Sequence, residues 1–283
     1  MSSRPFDPRE RPIGVFDSGV GGLTVLHELL VRLPHEDYVY LADGARFPYG
    51  PRTRAELERF SLQIAEELLA RGAKLLVVAC NSAASAALPA LRALMMQTTL
   101  GVEVLGVAEP AAVQAVAATR NGRVGLLATQ ATVDSGAYAA SIAAIDPYVE
   151  LTAIACPELA GMIEGGRMDE VMLDHVRGYC APLRRAGVDT VILGCTHYPL
   201  VRAMLQRLLG PEVRAITSGE PLARQVGHVL GARELASPRA GEGDYRFLTT
   251  GDPEAFRADG SRFLQLPIGT VEPVSLPVGE AVA

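Results

Sequence analysis

Short runs of β-branched and aliphatic residues alternate along the chain with stretches rich in Ala, Leu, Glu and Arg. That alternation predicts an α/β fold with largely parallel sheets. Residues 12–16 (PIGVF) predict a first strand, which ends in the glycine-rich turn DSGVGG, and LTVLHELLVRL predicts the helix after it. A second strand is expected at 38–42 (YVYLA) and a long amphipathic helix at 53–71. The unbroken apolar run KLLVVAC then reads as a strand buried on both faces, with Asn81 or Ser82 placed to cap the Ala-rich helix beyond it. In the second half, strands are expected at 123–128 and 149–155, helices at about 134–145 and 167–186, and a buried strand at TVILGC. A polar turn follows at Thr196 and His197, where Pro199 can begin a helix.

The two halves echo each other. Each opens on a strand containing a glycine (Gly14 or Gly125) that runs into a polar turn with a hydroxyl (Ser18 or Thr129). Each later delivers a cysteine at the end of a buried strand; Gly14 to Cys80 spans 66 positions and Gly125 to Cys195 spans 70. The pattern predicts two similar α/β domains with parallel-type sheets related by pseudo-twofold symmetry and a site in the cleft between them. The competing explanation is the ordinary spacing of any parallel α/β chain. After residue 217 the pattern changes to a helix (SGEPLARQVGHVLG), a loop (ASPRAGEGD) and a strand-turn-helix segment (YRFLTTGDPEAFRADGSRFL). This tail is expected to pack back on the first half. The first domain then comprises residues 1–106 with 217–283, and the second 107–216.

The chain's 283 residues suit two domains. A net charge of −6 gives no electrostatic footprint for nucleic acid. Arg4, Arg9 and Arg11 make only a short, locally basic N-terminal stretch. No apolar run approaches the roughly 20 residues that span a bilayer, and the N-terminus lacks the apolar core of a secretory signal. A soluble cytoplasmic enzyme is expected. The four cysteines (Cys80, Cys156, Cys180, Cys195) form no C-x-x-C pair, and neither H-E-x-x-H nor a carboxylate cluster suggests a metal. DSGVGG lacks both the P-loop lysine and the G-x-G-x-x-G spacing of a phosphate-binding loop. The only lysine is Lys74, at the entry of a predicted strand. Pyridoxal-phosphate enzymes hold their cofactor as a Schiff base on a lysine, so amino-acid chemistry here is expected to need no cofactor.

Ligands of open parallel sheets bind at the carboxyl ends of the strands. Cys80 and Cys195 both occupy that position, one in each half. If the halves face one another, the two thiols confront a ligand from opposite sides, which is what two-base racemisation requires. A free cysteine titrates near about 8.5, within reach of working pH. A position just before a helix N-terminus is expected to lower that value toward thiolate. Asp17, in the same half as Cys80, can accept or return that thiol's proton, and His197, two positions after Cys195, can do the same for its neighbour. Asn81, Ser82 and Thr196 supply donors for an α-carboxylate and for charge developing on it. Read singly, a cysteine at a strand end is a small core residue, Asp17 organises a glycine turn and His197 is a cap or surface residue. Two cysteines in equivalent places, each followed by polar residues, favour the catalytic reading. Cys156 and Cys180 lack the pattern and are taken as structural.

Several segments together resemble the glutamate racemases of the aspartate/glutamate racemase family: IGVFDSGVGGLTVL (13–26), FPYG (47–50), ACNSAAS (79–85), GLLAT (125–129), LGCTHYPL (193–200) and TGDPEAF. The resemblance spans nearly the whole chain. It implies cofactor-independent interconversion of L- and D-glutamate that supplies D-glutamate for peptidoglycan. It also implies Cys80 and Cys195 as the two bases, supported by Asp17 and His197. Ligand contacts implied in the same way are Asp17, Ser18, Pro48, Tyr49, Gly50, Asn81, Ser82, Thr129, Glu164, Thr196 and His197. A homodimer is the implied assembly. The sequence departs from the family pattern at Ser82, where threonine is usual, at Gly44, and in ITSGEP (216–221), which lacks a common acidic residue. The near alternative is a racemase of aspartate or hydantoin. A different one is a gyrase-binding role, since some glutamate racemases restrain that enzyme.

Overall fold

The computed structural model describes residues 7–98 and 101–277; Arg4 and both ends of the expected first domain lie outside them. The chain begins with β1 (Ile13–Asp17), α1 (Leu23–Arg32), β2 (Tyr38–Ala42), α2 (Arg54–Ala70) and β3 (Leu75–Val78). It continues through α3 (Asn81–Thr98), β4 (Glu103–Gly106) and α4 (Ala108–Ala118). Every residue of β1, β2 and β3 is buried, as their unbroken apolar runs require. A capping box starts α2: Thr53 Oγ1 accepts from Glu56 N at 3.3 Å, and Glu56 Oε2 accepts from Thr53 N at 2.9 Å.

The next set is β5 (Arg123–Ala128), α5 (Gln130–Asp134), α6 (Ala137–Ile145), β6 (Glu150–Ala155), α7 (Leu159–Glu164) and α8 (Glu170–Arg185). It closes with β7 (Thr190–Gly194), α9 (Arg202–Leu209) and β8 (Arg214–Thr217). The tail forms α10 (Gly219–Ala232), β9 (Tyr245–Thr249), α11 (Pro253–Leu264) and β10 (Val271–Pro273). α10 packs on α1, whereas α4 packs on α6 and β7.

Among the described residues, all strand pairs are parallel and fall into two sheets, β10-β9-β2-β1-β3-β4 and β6-β5-β7-β8. The order β2-β1-β3-β4 repeats as β6-β5-β7-β8, so each unit places its first strand between its second and third. Register carries the likeness to single residues. Gly14 pairs with Leu76 and Gly125 with Val191, and each thiol lies four residues beyond that partner. Cys80 and Cys195 are therefore equivalent positions, as are Asn81 and Thr196. In both sheets the thiol sits at the carboxyl end of the strand beside the switch point, where an open α/β sheet leaves a crevice for ligand.

Several expectations are corrected. The helix expected at about 134–145 starts at Ala137, after Gly136 at φ 65, and the polar turn expected from Thr129 holds a short helix, α5. The helix expected from 167 starts at Glu170, where the Asp169 side chain accepts from Met172 N at 3.0 Å. Pro199 opens a short 3₁₀ turn (Tyr198–Val201) before α9 rather than the helix itself. Asn81 is already the first helical residue of α3, so the residue at the helix entry is Cys80, whose sulfur accepts the backbone N–H of Ala83.

Lys74 has a structural partner away from the crevice. Its Nζ lies 2.6 Å from the Glu36 carboxylate and donates to the carbonyls of Arg9 (2.7 Å) and Leu235 (2.9 Å). Both side chains are almost fully buried, and Glu36 also accepts from Ser237 N at 2.7 Å. The pair thereby clasps the N-terminal segment and the returning tail to the start of β3. Removing one member strands a buried charge. Lys74→Met is expected to lower unfolding free energy by about 3–5 kcal/mol in urea titration, and a loss below about 1 kcal/mol would contradict the clasp.

Candidate active site

The carboxyl ends of the two sheets meet at a cavity of about 300 Å³, a volume suited to a small metabolite. Both thiols line it, together with Ser18, Pro48, Tyr49, Gly50, Asn81, Ser82, Thr129, Thr196 and His197. Of the residues expected from the sequence, Asp17 and Glu164 stand behind this lining and act on it through their neighbours. A second cavity, of about 400 Å³, reaches Cys195 and Thr196 but opens on α1 and α11 and does not reach Cys80. Only the first exposes both sulfurs to one ligand. Among the described residues, no cluster of His, Cys, Asp or Glu has the makings of a metal site.

On the first side, Cys80 Sγ lies 3.9 Å from Ser18 Oγ, within hydrogen-bond reach for sulfur. Burial, then the charge of Asp17, pushes the Cys80 thiol well above the usual range. The amide of Ala83 and the Ser18 hydroxyl pull the other way and are outweighed. A helix N-terminus was expected to lower such a thiol; at Cys80 its pull is present in the Ala83 amide, but burial is the larger effect. Asp17 is fully buried, and its hydrogen bonds come from the amides of Gly19 (3.1 Å) and Gly22 and from Thr196 Oγ1 (3.3 Å). Burial raises its carboxyl, and the charge of His197 opposes that rise.

On the second side, Cys195 Sγ lies 3.8 Å from His197 Nδ1, and His197 Nε2 lies 2.6 Å from Glu164 Oε2. Burial disfavours the imidazolium, yet hydrogen bonds to Cys195 and Glu164 outweigh it and push His197 up to about 10. The ring therefore bridges the second thiol and a carboxylate, one nitrogen toward each. Phe47 and Phe263 enclose the ring, at centroid distances of 5.8 and 5.4 Å. Arg262 of α11 donates to the carbonyls of Glu164 (2.8 Å) and Ile163 (3.2 Å), fixing the end of α7 that carries the carboxylate.

The two sheets are pinned together at the site itself. Thr24 Oγ1 lies 2.8 Å from the Thr196 carbonyl, and Ser82 Oγ lies 2.8 Å from Thr129 Oγ1. Ala131 N donates to the Gly50 carbonyl at 3.1 Å. A Cβ at Gly21 would overlap the His197 ring and the Thr196 hydroxyl, so only glycine lets the first turn lie against the second thiol's loop.

A family model described as Asp/Glu/Hydantoin racemase matches residues 21–226. The chain belongs to this racemase family. It is 46% identical over 267 residues to the glutamate racemase of Geobacter metallireducens, covering 94% of this chain and 97% of that protein. Its structure is similar to that of a glutamate racemase isoform from Bacillus anthracis, with TM-score 0.89, 37% identity and coverage of 96% and 100% of the two chains. It is also similar to the glutamate racemase of Francisella tularensis in complex with D-glutamate, with TM-score 0.87, 31% identity and coverage of 94% and 98%.

Two polar residues around this cavity escaped the sequence reading. Asp43 is fully buried and accepts from Arg46 Nε (2.6 Å), Thr250 Oγ1 (2.8 Å) and the Tyr49 hydroxyl, so it holds the FPYG loop over the cavity. A local signal existed, because Asp43 follows β2 as Asp17 ends β1, and its amide donates to the Asp17 carbonyl at 2.9 Å. Tyr138, on α6, donates to Asn81 Oδ1 at 2.6 Å, a pairing that no local pattern announces.

The carboxylate beside His197 sets the sign of a titration. Removing that charge destabilises the imidazolium, so Glu164→Gln is expected to move the His197 transition from about 10 to lower pH. The His197 Cε1 proton resonance, assigned with a His197→Gln variant, reports it. An unshifted transition would contradict the pairing.

Proposed function

We propose that the chain racemises glutamate by two-base chemistry without a cofactor, with Cys80 and Cys195 as the bases. The observation that carries this reading is the placement of two thiols, at register-equivalent strand ends, on one small cavity. A thiolate on one side removes the α-proton. The electron pair left on carbon delocalises into the α-carboxylate, and the thiol on the other side returns a proton to the opposite face. The chemistry needs one thiolate and one thiol at the start of each turnover. The two sulfurs have unlike neighbours: burial and Asp17 raise the Cys80 thiol, while Cys195 lies beside His197, which Glu164 backs. The roles exchange with the enantiomer bound.

Hydroxyls and amides of Ser18, Asn81, Ser82, Thr129 and Thr196 serve as carboxylate donors, and Pro48, Tyr49 and Gly50 close the loop above them. Such donors also stabilise the charge that develops on the carboxylate. In this reading Asp17 acts mainly by orienting Thr196 and the glycine turn and by raising the Cys80 thiol. Freedom from pyridoxal phosphate is supported by Lys74, the only lysine, which is occupied in its buried ion pair. Glutamate rather than aspartate or hydantoin is supported by the glutamate racemases that match over nearly their full length. We further propose that residues 1–106 with 217–283 and residues 107–216 form two domains that flank the cleft. The enzyme would act in the cytoplasm as a homodimer, supplying D-glutamate to peptidoglycan. No described helix is long and apolar enough to cross a membrane.

Circular dichroism of L-glutamate solutions is expected to decay to zero with the protein present, after dialysis against chelator and without added pyridoxal phosphate. General acid–base groups contribute about 10²–10⁴-fold each. Cys80→Ser and Cys195→Ser are therefore each expected to lower racemisation at least about 10²-fold, while each still exchanges the α-proton of one enantiomer. Near-wild-type racemisation by either variant would overturn the two-thiol mechanism; turnover of L-aspartate but not L-glutamate would overturn the substrate.

A further inference from the structure

The Tyr138 hydroxyl is buried beneath the second sheet yet serves the first thiol's loop. A buried hydroxyl is costly unless it is hydrogen-bonded. Its partners are Asn81 Oδ1, at 2.6 Å, and the Ser218 hydroxyl. Asn81 directly follows Cys80, and Ser218 marks the point where the chain leaves β8 for α10. Tyr138 thus ties the residue beside one thiol to the other sheet and to the chain's return path.

The consequence lies in the amide. A side-chain amide has an accepting and a donating end, and Tyr138 occupies the accepting end of Asn81. Burial raises the phenol far above its ordinary value, so it stays protonated and remains the donor. The Asn81 amide nitrogen must then face away from Tyr138. That nitrogen is buried, on a residue only 2% exposed that lines the cavity, and it has no acceptor among the described residues. The equivalent position in the other unit behaves differently, because the Thr196 hydroxyl is engaged by Asp17. The unpaired donor beside the thiols is therefore on the Cys80 side.

We propose that Tyr138 is a positioning residue that orients the Asn81 amide so that its N–H donates to a carboxylate of the bound substrate. This rests on the proposed glutamate racemisation. Tyr138 touches no reacting atom and acts only through Asn81.

A double-mutant cycle of Tyr138→Phe and Asn81→Ala tests it, read as kcat/KM for both enantiomers and as the calorimetric Kd for D-glutamate. The calorimetric arm works even for variants too slow to assay. Losing one hydrogen-bond orientation should cost roughly 3–10-fold, so Tyr138→Phe should weaken Kd and kcat/KM by that factor. The two enantiomers have equal free energy, so the loss in kcat/KM must be the same in both directions. In the Asn81→Ala background the same change should alter either quantity less than about 2-fold, since coupled residues are non-additive. Thermal unfolding of the four proteins separates lost binding from lost folding. Equal losses in both backgrounds would make Tyr138 merely structural and overturn this inference alone. A wild-type protein that neither binds nor racemises glutamate would overturn both this inference and the function on which it rests.

Discussion

The site depends on a reciprocal contact between the units: the residue after each thiol is held by a side chain from the opposite unit. Asn81 follows Cys80 and is held by Tyr138 of the second unit, while Thr196 follows Cys195 and donates to Asp17 of the first. Neither unit can build the cavity alone. Each supplies a thiol at a strand end and a clamp for the other's thiol loop. The contact of Gly21 with His197 and the Ser82–Thr129 pair extend the same arrangement. A small change in how the units sit relative to one another would alter both thiol environments together.

Geometric likeness coexists with electrostatic difference. Matching register puts both sulfurs at the same place in their sheets, but their partners differ in kind. Cys80 faces a hydroxyl and a buried carboxyl, and Cys195 faces an imidazole backed by Glu164. Two identical surroundings would give both sulfurs the same protonation state, whereas proton transfer across a carbon needs one donor and one acceptor. Matching register accounts for the two thiols at one cavity, and the neighbouring residues account for their unlike surroundings.

What was legible in the sequence follows the range of the interactions involved. β1, β3 and β7 are continuous apolar runs that end abruptly in polar residues, so their strands and the thiols at their ends can be read directly. β4 and β8 are four residues long and carry an exposed or half-exposed first residue, too little pattern to identify them. The short helix α5 was read as a turn because its five residues, QATVD, are too few and too polar to show a helical period. Glu164 has no local signature, since its role exists only through His197 thirty-three residues away, and resemblance alone singled it out. Tyr138 reaches Asn81 across fifty-seven residues and two sheets. At Cys80 the helix N-terminus could be read from the sequence, whereas the burial that outweighs its pull could not.

The central claim is that two separate groups handle the two faces of the α-carbon. The most direct measurement is the early time course of L-glutamate racemisation in deuterium oxide, following deuterium at the α-position of each enantiomer. With two bases, each new D-glutamate molecule carries a solvent-derived deuteron, while the remaining L-glutamate stays unlabelled at early times. Deuterium entering the L-glutamate pool as fast as D-glutamate forms would mean that one group serves both faces, and would contradict the account.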